Sequence, residues 1–96
     1  MKPKNVKEVP LNYGAKSTRQ KNARAYLMDA LWFKGPGNHK QIDIMRSMEK
    51  RFGQKQLRVD IGMDWFYECR WQASELRKVG LIKPVSESGR GYWAAT

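Results

Sequence analysis

The 96-residue sequence predicts a mainly α, α+β domain: three helices followed by a C-terminal two-stranded β-hairpin. Three observations carry that expectation. Apolar residues recur at helical spacing in three separate stretches, and glycine or Gly-Pro punctuation falls between them. Beyond Gly80 the helical period gives way to two short extended runs around a glycine-bearing turn.

The first helix begins around residues 19–22 and runs to Phe33, with Ala23, Leu27, Ala30 and Leu31 at i, i+4, i+7 and i+8. Lys34-Gly35-Pro36-Gly37-Asn38 stops it, and residues 39–41 read as a short extended segment. The second helix starts near Gln41 or Ile42 and ends at Gly53, with Ile44, Met45, Met48 and Phe52 on one side. Its methionines are core filler. Across residues 53–63 the isolated Leu57, Val59 and Ile61 alternate, which fits a short strand or an ordered loop. Asp64 is positioned as an N-cap, residues 65–79 carry the strongest helical signal, and Gly80 supplies the left-handed stop. Leu81-Ile82-Lys83-Pro84-Val85 then reads as a strand with an edge proline, residues 87–91 as a turn, and residues 92–96 as the return strand. Tyr92 and Trp93 are expected to pack that strand against the helices.

Charge separates the chain into two parts. Nineteen Lys and Arg oppose nine Asp and Glu, a net +10 that points to a polyanionic partner. Residues 1–24 hold seven basic side chains against Glu8 alone, +6, while the remaining 72 hold +4 together with ten of the eleven aromatics. Residues 1–20 are therefore expected to be a flexible basic arm, and residues 21–96 the folded domain. No apolar run is long enough to span a bilayer, and neither a signal peptide nor an amphipathic anchor is expected.

The chemistry available is narrow. Cys69 and His39 are each the only residue of their kind, so this sequence offers neither a disulfide, nor a metal site, nor a nucleophile with its base. Cys69 reads as a packed thiol, consistent with a reducing cytoplasm. With no paired acids either, the expectation is a protein that is not an enzyme, takes no cofactor and binds no small-molecule substrate.

On a helical wheel, residues 65–79 sort into two arcs. Trp65, Phe66, Cys69, Gln72, Ala73, Leu76 and Val79 share one, the expected buried face. Roughly opposite lie Tyr67, Arg70, Trp71, Ser74, Arg77 and Lys78, with Glu68 and Glu75 together at the border. A cationic, hydrogen-bonding face with its carboxylates set aside suits guanine edges and phosphates. Trp71 is expected to pack beneath the hairpin or the second helix rather than meet a ligand. In the hairpin, Arg90 stands near a turn made by Gly89 and Gly91, where it can enter a minor groove or grip phosphate.

This order of elements resembles a winged helix-turn-helix DNA-binding domain, the hairpin being the wing. More narrowly, Arg70-Trp71-Gln72-Ala73-Ser74-Glu75-Leu76-Arg77-Lys78-Val79-Gly80-Leu81-Ile82, continued by Gly89-Arg90-Gly91-Tyr92-Trp93-Ala94-Ala95-Thr96, resembles the N-terminal module of Mrr-type restriction proteins. The similarity covers about the last third of the chain. Gln72-Ala73 departs from the family's small residue followed by Leu, which predicts a looser local core. The resemblance implies duplex DNA binding, with recognition by Tyr67, Arg70, Ser74, Arg77 and Lys78 and wing contacts from Lys83, Ser88 and Arg90. Cleavage belongs to a separate domain of that family and is not carried over.

The expected function is non-enzymatic duplex DNA binding. The third helix enters the major groove, and Lys16, Arg19, Lys21 and Arg24 of the arm and its root follow the phosphates. Two alternatives stand beside it: a protein–protein interaction module on the same scaffold, and binding of RNA or single strands by stacking on Tyr67 and Trp71. The role is then transcriptional, restriction-related or phage-related, in the cytoplasm or on a nucleoid, and a homodimer or larger complex stays open.

Overall fold

The computed structural model describes residues 11–96. The first helix, α1, spans Thr18–Lys34. Ser17 is extended and its side chain accepts from the Gln20 amide, while Gln20 Oε1 accepts from the Lys16 amide at 2.8 Å. The first bond satisfies an amide that the helix start leaves without a partner, and the second ties the residue before the cap to the first turn. At the other end the Gly35 amide donates to the carbonyls of Leu31 and Trp32. Between these ends α1 buries Ala23, Arg24, Leu27, Met28, Ala30 and Leu31.

A two-residue strand, β1 (His39–Lys40), leads directly into α2 (Gln41–Phe52). Helix α2 buries Ile44, Met45 and Met48 against α1, and Gly53 closes it at φ 84°. The segment expected to be a strand or ordered loop is instead a helix, α3 (Gln54–Asp60). Leu57 and Ile61 are buried four residues apart, whereas Val59 between them is 72% exposed. The alternation of Leu57, Val59 and Ile61 contains an i, i+4 pair, and Gln54, Lys55, Gln56 and Arg58 around it are good helix formers. One spacing served two templates, and packing selected the helical one.

Helix α4 (Trp65–Lys78) crosses α1 and buries Trp65, Cys69, Gln72, Ala73 and Leu76. Asp64 stands at its start without a side-chain capping bond. The end is a Schellman motif: Gly80, at φ 86°, donates to the Arg77 carbonyl and Leu81 donates to the Leu76 carbonyl. Phe66, assigned to the buried arc, is 37% exposed at its edge.

The C-terminal segment differs from a simple hairpin. Its extended arm stops at Lys83, because Pro84 cannot donate to a ladder and its fixed φ suits a helix start. A single helical turn, α5 (Val85–Ser88), follows, and Gly89 ends it at φ 93°. The returning strand, β2 (Tyr92–Trp93), pairs with β1 antiparallel, His39 opposite Trp93 and Lys40 opposite Tyr92. Residues 81–83 and 94–96 touch through the Ile82–Ala95 bridge, with Lys83 donating to the Ala94 carbonyl and Thr96 to the Leu81 carbonyl. The returning segment thus lies between β1 and residues 81–83. The result is a mainly helical α+β fold with a small two-stranded antiparallel sheet.

Helices α1 to α4 and the sheet share one apolar core, in which Trp93, Leu27, Leu31, Met45, Met48 and Leu76 are essentially inaccessible. Full burial of such a side chain contributes about 1.5–3 kcal/mol. Cys69 is packed within it, its Sγ facing the Ala23 carbonyl at 3.9 Å, and burial pushes the thiol up to about 12.

Residues 1–10, the greater part of the expected arm, lie outside the described residues. The described part of that arm is held in place: residues 11–15 form a turn closed by Ala15 donating to the Asn12 carbonyl, and Leu11 packs on the core. Its anchor is Arg24, which is only 1% exposed.

Candidate nucleic-acid interface

The outer face of α4 gathers Tyr67, Arg70, Trp71 and Ser74, all exposed, with Lys78 one turn further on. Arg70 makes no side-chain hydrogen bond or ion pair among the described residues, so its guanidinium is free for a ligand. It stands between two shallow grooves. One, of about 250 Å³, runs along Tyr67, Trp71 and Ser74 with Gln41 and the edge of Trp93 opposite. The other, of about 360 Å³, is bounded by Lys40, Ile42, Phe66, Gly91 and Tyr92.

Acidic side chains near this face are already paired. Glu68, its side chain 15% exposed, meets Arg19 at 3.4 Å and accepts from Gln72 at 2.9 Å. Glu75 meets Lys78 at 3.1 Å, an exposed pair of small energy that a phosphate can displace. The face that remains is cationic, aromatic and hydroxylic.

Not every residue assigned to binding is uncommitted, although Arg77 also lines the groove of about 250 Å³. Arg24 is buried: Nε donates to Gln72 Oε1 at 2.7 Å, and Nη1 donates to the carbonyls of Leu11 at 3.2 Å and Tyr13 at 2.6 Å. Burial lowers its pKa, opposed by the charge of Glu75. This guanidinium clamps the N-terminal turn to α1 and α4 through its Nε and Nη1. Gln72, expected to loosen the core, is the group that makes the clamp possible, since it accepts from Arg24 and donates to Glu68.

Arg77 is likewise occupied. Its Nε donates to the Lys83 carbonyl at 3.0 Å and its Nη2 to the Tyr92 carbonyl at 2.8 Å, and burial lowers its pKa. It braces the end of α4 against both arms of the C-terminal segment. Ser88 is only 5% exposed, with its Oγ 3.3 Å from the Tyr92 carbonyl, and is a structural residue rather than a contact. Arg19 serves Glu68 and packs over Gly62, where an added Cβ would meet its Nε at 3.3 Å.

Lys16 joins the face. It lines a groove of about 200 Å³ with Gly14, Gln20, Trp71 and Glu75, so the root of the arm borders α4 at Trp71. Arg90 is exposed next to Gly91, which lines the larger groove, Lys83 is half-buried, and Lys21 is exposed on α1 and lines none of the three grooves.

Trp71 corrects the expectation of burial: it is 59% exposed, and Tyr67 is 66% exposed. The C-terminal segment does not cover it, although Trp93 lines the same groove. Lys40, Gln41 and Ile42 were not legible as site residues. They reach the face only because the β1–β2 register sets Lys40 beside Tyr92 and Gln41 donates to the Gly91 carbonyl.

Among the described residues, no three His, Cys, Asp or Glu side chains converge on a metal-sized site, and His39 Nε2 lies 2.9 Å from the Gly35 carbonyl. No helix of the described residues is long and apolar enough to cross a membrane. Comparison with protein-family models, with curated proteins and with solved structures finds no match to the chain.

Proposed function

We propose that this chain is a small winged helix-turn-helix domain, of the kind found at the N-terminus of Mrr-type restriction proteins, that binds duplex DNA without catalysis. The observation that carries the reading is the outer face of α4: Arg70 and Ser74 stand free, while Glu68 and Glu75 are engaged with Arg19, Gln72 and Lys78. In the major groove, Arg70 suits a guanine edge and Ser74 either a base or a phosphate. Lys16, Lys78, Lys83 and Arg90 supply phosphate contacts around it, and the expected location is the cytoplasm or a nucleoid. The element order, with a short strand before α2 pairing with the returning strand, supports the winged-helix assignment.

The exposure of Trp71 and Tyr67 favours one second reading, in which unpaired bases stack on them. A fluorescence titration with random-sequence duplex and single-stranded DNA, repeated over a range of salt, separates the two. About four neutralised phosphates give a slope of log affinity against log salt near −4 for a duplex. A slope near zero, or unaltered duplex affinity in Arg70→Ala, removes the proposal.

A further inference from the structure

Tyr67 and Trp71 occupy successive turns of α4 on the face that also carries Arg70 and Ser74, and they leave 66% and 59% of their surfaces exposed. No other element packs over them, although neighbouring Trp65 and Trp93 are almost wholly buried. Two broad apolar surfaces in the middle of a cationic face need an apolar partner to leave water. On the edges of a B-form duplex, the apolar group that the major groove presents is the C5-methyl of thymine.

We infer that Tyr67 and Trp71 read thymine methyl groups, an assignment that rests on the duplex reading above and gives it a sequence preference. Four residues advance about 6 Å along an α-helix, and base pairs rise about 3.4 Å. The two side chains therefore meet bases about two steps apart when α4 runs along the groove. Arg70 lies between them along the helix axis and borders both grooves, which sets it against an intervening position, where its fork selects guanine. The preferred site contains two thymines about two steps apart flanking a base pair that Arg70 reads.

The test is affinity selection of the full chain on a random duplex library, followed by replacement of each selected thymine with uracil opposite adenine. Uracil preserves the pairing and O4 and removes only the methyl. The expected loss is about fourfold at each of two positions, the equivalent of about 0.8 kcal/mol per buried carbon group. In Trp71→Ala the uracil penalty disappears at one of them and persists at the other, and Tyr67→Ala does the reverse. Both variants keep the wild-type unfolding midpoint, because neither side chain is in the core. Duplex binding that is indifferent to uracil at every position overturns the thymine assignment and leaves the duplex reading intact. A single strand that outcompetes duplex at equal salt overturns both, and so does absence of duplex binding.

Discussion

Replacing Arg24 by Met keeps the aliphatic volume and removes the guanidinium that joins the N-terminal turn, α1 and α4. Three acceptors lose their donor: Gln72 Oε1, and the carbonyls of Leu11 and Tyr13. Leu11 is half-buried and Tyr13 exposed, so their carbonyls can regain water once the turn lifts. Gln72 is 1% exposed and cannot. Leaving one buried acceptor unsatisfied costs about 1–3 kcal/mol, and loss of a charged-group hydrogen bond costs a similar amount, offset by the desolvation no longer borne by a buried cation. The net expectation is a destabilisation of about 2–3 kcal/mol. Urea unfolding followed by tryptophan fluorescence should show it as a midpoint shift of about 2–3 M, for a slope near 1 kcal/mol/M in a domain of this size. The double variant Arg24→Met with Gln72→Leu should recover about 1 kcal/mol, since the orphaned acceptor is gone. Trypsin should also cut after Lys16 faster in Arg24→Met, because the turn before it has lost its anchor. A midpoint within 0.5 M of wild type, or a double variant weaker than the single one by the full sum of both changes, would refute the clamp.

Arg70 and Arg77, seven residues apart on α4, should behave in opposite ways. Arg70→Ala leaves stability within about 0.5 kcal/mol and weakens duplex binding about tenfold, whereas Arg77→Met costs about 1.5–3 kcal/mol in urea because two carbonyl partners go unpaired. Leu57→Ala should cost about 2–5 kcal/mol and Val59→Lys close to nothing; equal costs would restore a strand in which both face the core. Cys69 should stay unreactive towards a thiol reagent at pH 8 until the protein is denatured, given a thiol pushed up to about 12 by burial, and rapid labelling of the native state would contradict its packing. The same shift sets the sign of its pH effect. With the folded value raised, the stabilisation from the neutral thiol is complete below the unfolded value and is lost as pH climbs towards 12, so Cys69→Ala should flatten the alkaline limb of the stability profile.

Which parts of the fold were legible follows from how local their causes are. Ala23, Leu27, Ala30 and Leu31 define α1, and Gly80 ends α4, through interactions that span a turn or two of chain. Residues 53–63 were not legible, because Leu57, Val59 and Ile61 fit a strand and a helix equally. Only the buried seat offered to Leu57 and Ile61 together decides between them. The hairpin was legible in position and not in pairing. Pro84 shortens its first arm, and the returning strand takes β1, more than 50 residues earlier, as its ladder partner.

The candidate site divides along the same line. Tyr67, Arg70, Ser74 and Lys78 share a face by helical period alone, and the sequence placed them together without knowledge of any neighbour. Whether each is free depends on what the rest of the chain brings within reach. Arg24 and Arg77 have the same side chain as Arg70, yet they are turned inward by backbone carbonyls and by Gln72. Trp71 looked like a core residue by type and lies open because no element crosses over it. The sequence by itself determined the three long helices, the polar arc of α4 and the excess of positive charge, since these are sums and periodicities along one chain. Tertiary structure alone decided which cations remain available to a ligand, because a guanidinium is committed or free according to acceptors that lie 6 to 48 residues away.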